Sequence, residues 1–138
     1  MKIKNFAMLA GVAGLLAACG GSSIVEPADL NDQRVFFAFN SSEISDEAHD
    51  NLLGQSLYMK NHADTKIQIA GNCDERGSTE YNLALGARRA NAAKAVLVKD
   101  GIESKRISTI SYGKERPLVK GTGEQVWKFN RNATTTVK

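Results

Sequence analysis

Asp74, Arg76 and Arg89 are the side chains in this sequence whose types and spacing invite chemistry, and all three lie in "DERGSTEYNLALGARRANAAKAV" (74–96). If the stretch from Glu80 onward is a helix turning about 100° per residue, Asn82, Leu85, Arg89, Ala93 and Val96 share one stripe. Leu85, Ala93 and Val96 mark that stripe as inward-facing, yet Arg89 sits in its middle. A guanidinium cannot shed its proton there. Burying it without a partner costs on the order of several kcal/mol. Either Arg89 snorkels or pairs with an internal carboxylate, or it meets an anion supplied from outside. Arg88 points about 100° away and is expected in solvent. In the loop before the helix, Asp74 supplies the opposite sign and Arg76 a second donor. A pocket with a fixed carboxylate and a fixed guanidinium suits a zwitterion carrying ammonium and carboxylate, because guanidinium grips carboxylate through two directional bonds. The start of the helix adds backbone N–H groups that favour an anion.

Other chemistries fit less well. "GNCDERGST" (71–79) is not a phosphate loop: its glycines are one residue too far apart and no lysine follows Gly77. It reads as a strand-to-helix loop with glycine at each end for backbone freedom. Asp74 and Glu75 are adjacent, so their side chains point apart, and no histidine lies nearby to complete an acid–base pair. Catalysis is therefore not expected. His49 and His62 are thirteen positions apart at the two ends of one helix and form no metal-ligand pair, so they are expected at the surface and neither metal nor cofactor is expected. Trp127 and Phe129 read as packing residues. The formal charge is +3, and +1 (16 − 15) without Lys2 and Lys4, which removes any basic-tract argument for nucleic acid.

The elements that must position these residues follow from periodicity. "RVFFAF" (34–39) reads as a strand. Residues 45–62 read as a helix with Ser45 as N-cap and Asp46 and Glu47 in its first turn. "KIQIAG" (66–71) alternates as a second strand. The helix carrying Arg89 ends near Asp100-Gly101, where glycine suits the left-handed position after a helix. "RISTISYG" (106–113) is a third strand, 124–130 a short helix and "ATTTV" (133–137) a last strand. Strands alternating with helices indicate an α/β or α+β sandwich, and about 105 residues bury one modest core.

The N-terminus has the layout of an export signal: Lys2 and Lys4, an apolar run from Phe6 to Leu16, then small residues. The run is shorter than the roughly 20 residues of a membrane span. Leu16-Ala17-Ala18-Cys19 resembles a bacterial lipobox, whose cysteine is acylated and becomes the first residue. Several acyl chains, each contributing roughly 0.8 kcal/mol per buried methylene, anchor a protein stably. Gly20 after Cys19, rather than aspartate, implies sorting to the outer membrane by the same resemblance. The expected organisation is a signal peptide over 1–18, a lipidated tether over 19–31 that reaches roughly 40 Å when extended, and one domain over 32–138. Cys73 is then a lone, buried thiol.

Three segments carry a resemblance to a known family: "VFFAFNSSEI" (35–44), "GNCDERGSTEYNLALGARRANAAKAVL" (71–97) and "ISYGKERP" (110–117). In order and spacing they resemble the OmpA-like peptidoglycan-binding domain, over roughly 100 residues, and the upstream lipobox resembles that of its lipoprotein members. The resemblance implies an α+β, two-layer βαβαβ-αβ sandwich with a mixed four-stranded sheet and its helices on one face. It implies non-covalent binding of the diaminopimelate residue of the peptidoglycan stem peptide, whose side chain ends in the zwitterion inferred above. By position, Asp74 would hold the ammonium and Arg89 the carboxylate, with Arg76 assisting. Phe39 and Asn40 would line the mouth, and Asn82 and Leu85 would position the helix start. It also implies partnership with Tol proteins such as TolB in envelope integrity and cell division. Asn40 replaces the aspartate usual in the family, Cys73 a small or hydroxylated residue, and Asn132 stands where a second arginine is usual. A periplasmic adaptor with a vestigial wall pocket is the alternative reading.

Overall fold

The computed structural model describes residues 23–138; the expected signal segment, the lipidation site Cys19 and the start of the tether lie outside the described residues. Seven principal elements follow in chain order: β1 (Gln33–Phe36), α1 (Asp46–Asn61), β2 (Ile67–Asn72), α2 (Thr79–Lys99), β3 (Ile107–Gly113), α3 (Glu124–Asn130) and β4 (Asn132–Val137). Ser45 caps α1 by accepting from the Ala48 N–H at 3.1 Å. Ser78 caps α2 in the same way, accepting from the Tyr81 N–H at 3.0 Å. Each cap satisfies one of the unpaired donors at a helix start. After α2, Gly101 turns at φ 107°, and the Ile102 N–H returns to the Leu97 carbonyl at 3.0 Å.

The sheet order is β1-β4-β2-β3. β2 and β3 run parallel, whereas β4 is antiparallel to both β1 and β2. This is the mixed four-stranded α+β sheet that the resemblance implied. On β2, Ile67 and Ile69 turn toward the helices and are buried, whereas Gln68 and Ala70 face the other way and are half-buried. Leu52 and Met59 of α1 and Ala90, Ala93 and Leu97 of α2 close over that inner face. The two ends of the domain are organised differently. At the start of β3, Arg106 is spent on structure, donating to the carbonyls of Met59, Thr65 and His62 and so closing the C-terminal end of α1. At the carboxyl ends of the parallel strands, where α/β sheets commonly place ligands, the chain instead opens into a cavity.

Two boundaries depart from the sequence reading. The first strand stops at Phe36 rather than Phe39. The Phe37 N–H still bonds the Arg131 carbonyl at 2.9 Å, but the chain then turns, with the Ser41 N–H on the Ala38 carbonyl at 3.2 Å and Asn40 left-handed at φ 58°. Asparagine tolerates that region better than most residues. The tether also ends earlier than Asn31. Leu30 is fully buried in the core, and Glu26 accepts from the Asn61 amide at 2.8 Å on α1. One apolar side chain gains more by entering the core than a linker of its composition suggests.

Candidate functional site

Arg89 is the largest fully buried side chain among the described residues. Its Nε–H donates to the Ser41 carbonyl at 2.8 Å, one terminal nitrogen to the Asn72 carbonyl at 2.9 Å, and the other to the Ala38 carbonyl at 3.1 Å. The turn that ends β1 early thus delivers two of these three acceptors, and the end of β2 delivers the third. No carboxylate of the described residues lies within ion-pair distance of the guanidinium. Burial pushes its pKa down, and Arg131 adds like-charge repulsion. A guanidinium has five N–H groups; three are spent on carbonyls, so each terminal nitrogen retains one.

Arg89 borders a cavity of about 100 Å³ that is also lined by Phe39, Asn40, Cys73, Asp74, Arg76, Gly77, Tyr81, Asn82 and Leu85. All seven ligand-binding candidates from the sequence lie on this one wall, although they come from the β1–α1 turn, the β2–α2 loop and α2. A wider cleft of about 450 Å³ runs over the open face of the sheet beside Arg34 and Arg116. Arg34 is partly exposed and Arg116 exposed, so water reaches both. The smaller cavity holds the uncompensated buried charge.

Asp74 is buried and fully subscribed. One oxygen accepts from the Arg76 backbone N–H at 3.0 Å and its Nε–H at 3.2 Å. The other accepts from an Arg76 terminal nitrogen at 2.7 Å and from Arg131 at 3.4 Å. Burial alone would raise its pKa, but the hydrogen bonds and charge of Arg76, with help from Arg131, hold it below the usual carboxylate value. A carboxyl depressed in the native state contributes stability that is complete above the unfolded value, roughly 3.9 for aspartate, and is lost as pH falls through the native one. Asp74→Asn is therefore expected to flatten the acid limb of a urea-midpoint-against-pH curve below about pH 4. An acid limb unchanged by the substitution would mean the carboxylate is not paired in solution.

Arg131 was not among the sequence candidates, which noted only Asn132 in this stretch. The structure brings Arg131, one position earlier, against Asp74. Arg131 donates to the Phe37 carbonyl at 2.8 Å and forks onto Glu124 at 3.0 and 2.7 Å while touching Asp74. Asn132 lies on the open sheet face, accepting from the Asn72 amide at 2.9 Å. The signal was available in the period of two along β4: Arg131 falls in phase with the buried Ala133 and Thr135.

The remaining residues shape the cavity. Asn82 ties the loop to the helix by donating to the Arg76 carbonyl at 2.8 Å and the Ser78 carbonyl at 3.0 Å. Cys73 donates its S–H to the Asn82 carbonyl at 3.3 Å. Burial raises its pKa despite Arg89 nearby, so it remains a neutral thiol. Arg76 lies between two aromatic rings, its guanidinium carbon 3.9 Å from the centroids of both Phe39 and Trp127. Trp127 is held by its indole N–H on Glu75 at 2.8 Å. Trp127 therefore packs, as its sequence context suggested, but against a cation.

A mixed sheet under two helices, with this arginine and aspartate at its carboxyl end, defines a class, and the chain belongs to the OmpA family, which matches residues 36–131. Among its relatives is the peptidoglycan-associated lipoprotein of Mesorhizobium japonicum, 43% identical over 99% of this chain and 80% of that one. The protein of the same name from Pasteurella multocida is 37% identical over 96% of both chains. The crystal structure of the peptidoglycan-associated lipoprotein from Burkholderia pseudomallei superposes with a TM-score of 0.75 at 38% identity, covering 77% of this chain and 90% of that one. The C-terminal domain of Helicobacter pylori MotB shares the fold alone, with a TM-score of 0.69 at 18% identity over 75% and 81% of the two chains.

Proposed function

We propose that this chain is an outer-membrane lipoprotein that holds peptidoglycan non-covalently through the diaminopimelate of its stem peptide. The observation carrying the proposal is the buried, carboxylate-free Arg89, which lines a cavity that also holds Asp74. The side chain of diaminopimelate brings the missing carboxylate, and beside it an ammonium for Asp74. Phe39 and Asn40 border the mouth, while Asn82 and Leu85 fix the helix start behind it. The site lacks a paired acid and base, which supports a binding role rather than a catalytic one. Acylation of Cys19 anchors the chain, and Gly20 directs it to the outer membrane. The domain then faces the periplasm, where Tol proteins such as TolB are the partners expected from family membership.

The direct test is co-sedimentation with purified walls. Diaminopimelate-type peptidoglycan is expected to pellet the protein, and lysine-type peptidoglycan to leave it in the supernatant, because lysine lacks the carboxylate that Arg89 receives. Losing a buried charge-assisted contact costs about 2–5 kcal/mol, or roughly 30-fold or more in affinity. Equal pelleting by both walls would reject the assignment.

A further inference from the structure

Asp74 cannot receive an ammonium in the arrangement just described. A carboxylate offers about four acceptor positions, and all four hydrogen bonds on Asp74 come from arginines of this chain. Arg131 does not line the cavity, has only a single 3.4 Å contact to Asp74, and keeps its fork on Glu124 regardless. Arg76 does line the cavity and makes the other three contacts. The side chain of Arg76 is also the more accessible of the two, 32% exposed against 7%. Of the two arginines, it is the one a ligand would meet on reaching Asp74 from the cavity.

We propose that Arg76 is a built-in competitor for the ligand's ammonium: its guanidinium occupies an acceptor position on each oxygen of Asp74 and must swing aside for a zwitterion to seat. The inference rests on the binding reading above and adds to it a cost for opening the site. Two flat faces hold the competitor in place, Phe39 on one side and Trp127 on the other, each at 3.9 Å. Cation–π contacts of this kind attract the guanidinium to the ring faces through their quadrupoles. Trp127 is in turn fixed by Glu75, which also accepts from the Thr122 hydroxyl at 2.9 Å. The stack joins the β1–α1 turn, the β2–α2 loop and α3. Freed from Asp74, the partly exposed guanidinium moves outward into solvent, so displacement does not strand it. An ammonium alone gains only what Arg76 gives up. A ligand whose carboxylate also reaches Arg89 gains a second charge-assisted contact, and that gain offsets the opening.

The sign of one substitution decides the matter. If Arg76 were simply a ligand contact, its removal would weaken binding. As a competitor, its removal strengthens binding. The probe is a synthetic tripeptide ending in diaminopimelate, titrated by calorimetry into the full chain in detergent micelles. Arg76→Ala is expected to tighten binding about threefold to tenfold. Trp127→Leu leaves net charge unchanged and only loosens the stack, so it is expected to tighten binding by a smaller factor. In the wild type, the fluorescence of Trp127, the single tryptophan of the chain, is expected to change on saturation as the guanidinium leaves the ring. Arg76→Ala is expected to abolish that change. Weaker binding by Arg76→Ala, with the wild type still binding, overturns the competitor role and leaves the diaminopimelate reading standing. No binding by the wild type removes that reading, and this proposal with it.

Discussion

Arg89→Ala is expected to abolish wall binding and to destabilise the domain without unfolding it. The first effect follows from the charge. Truncating one partner of a buried charge-assisted pair costs about 2–5 kcal/mol, so affinity falls between roughly 30-fold and several thousand-fold. The second follows from the three carbonyls of Ala38, Ser41 and Asn72, which Arg89 alone gathers at one point. Each buried acceptor left without a donor costs about 1–3 kcal/mol, reduced where water can enter, so a loss of about 3–5 kcal/mol is expected overall. Domains of this size have about 5–15 kcal/mol in hand, which leaves the variant folded in the absence of denaturant. Arg89→Lys keeps the charge but loses the planar fork that reaches three acceptors and a ligand together. It is expected to recover part of the stability and little of the binding. Urea titration and co-sedimentation separate the two effects. Full binding by a folded Arg89→Ala protein would remove Arg89 from the site.

Arg89 was legible in the sequence because it breaks a pattern. An arginine in phase with Leu85, Ala93 and the buried end of α2 is a local contradiction, and such contradictions collect where a protein does something besides fold. Asp74 and Arg76 were legible because they sit in the loop feeding that helix. The sequence could not say whether Arg89 was neutralised internally, because the competing acceptors were backbone carbonyls 17 to 51 positions away. Backbone acceptors leave no residue-type signature. Nor could it say that the charge of Asp74 was already shared with Arg131, 57 positions distant. The elements themselves were readable from their periods of 3.6 and 2, along with the caps Ser45 and Gly101. The position of β4 between β1 and β2 was not, because strand order depends on long-range pairing that no local window contains.

Gly71 on β2 and Gly86 within α2 separate local reading from packing most sharply. As a sequence, Gly71 looked like a hinge that frees the backbone. In the structure it has no left-handed φ; its use is proximity. A methyl group on Gly71 would overlap the carbonyl group of Gly86, and one on Gly86 would overlap the hydroxyl of Ser111 on β3. These two glycines let α2 lie almost directly on β2 and β3. Arg89 is three residues beyond Gly86, nearly one helical turn, so the spacing that admits the helix also sets how far its guanidinium reaches toward Asn72. Gly71→Ala meets backbone on the far side, and a backbone cannot rotate out of the way. The helix must move off the sheet, opening the core at Ala90 and Ala93 and pulling Arg89 from its carbonyls. Overpacking of a close-packed site costs about 1–3 kcal/mol and occasionally more. Adding the lost carbonyl contacts at about 1 kcal/mol each, Gly71→Ala is expected to cost about 4 kcal/mol or more and to lose wall binding together with stability. Gly86→Ala meets a side-chain hydroxyl first, so pairing it with Ser111→Gly is expected to restore part of the loss, whereas Ser111→Gly cannot rescue Gly71→Ala. Urea midpoints of these four variants and the wild type test this, and a Gly71→Ala domain as stable as the wild type would mean that α2 does not sit where its arginine needs it.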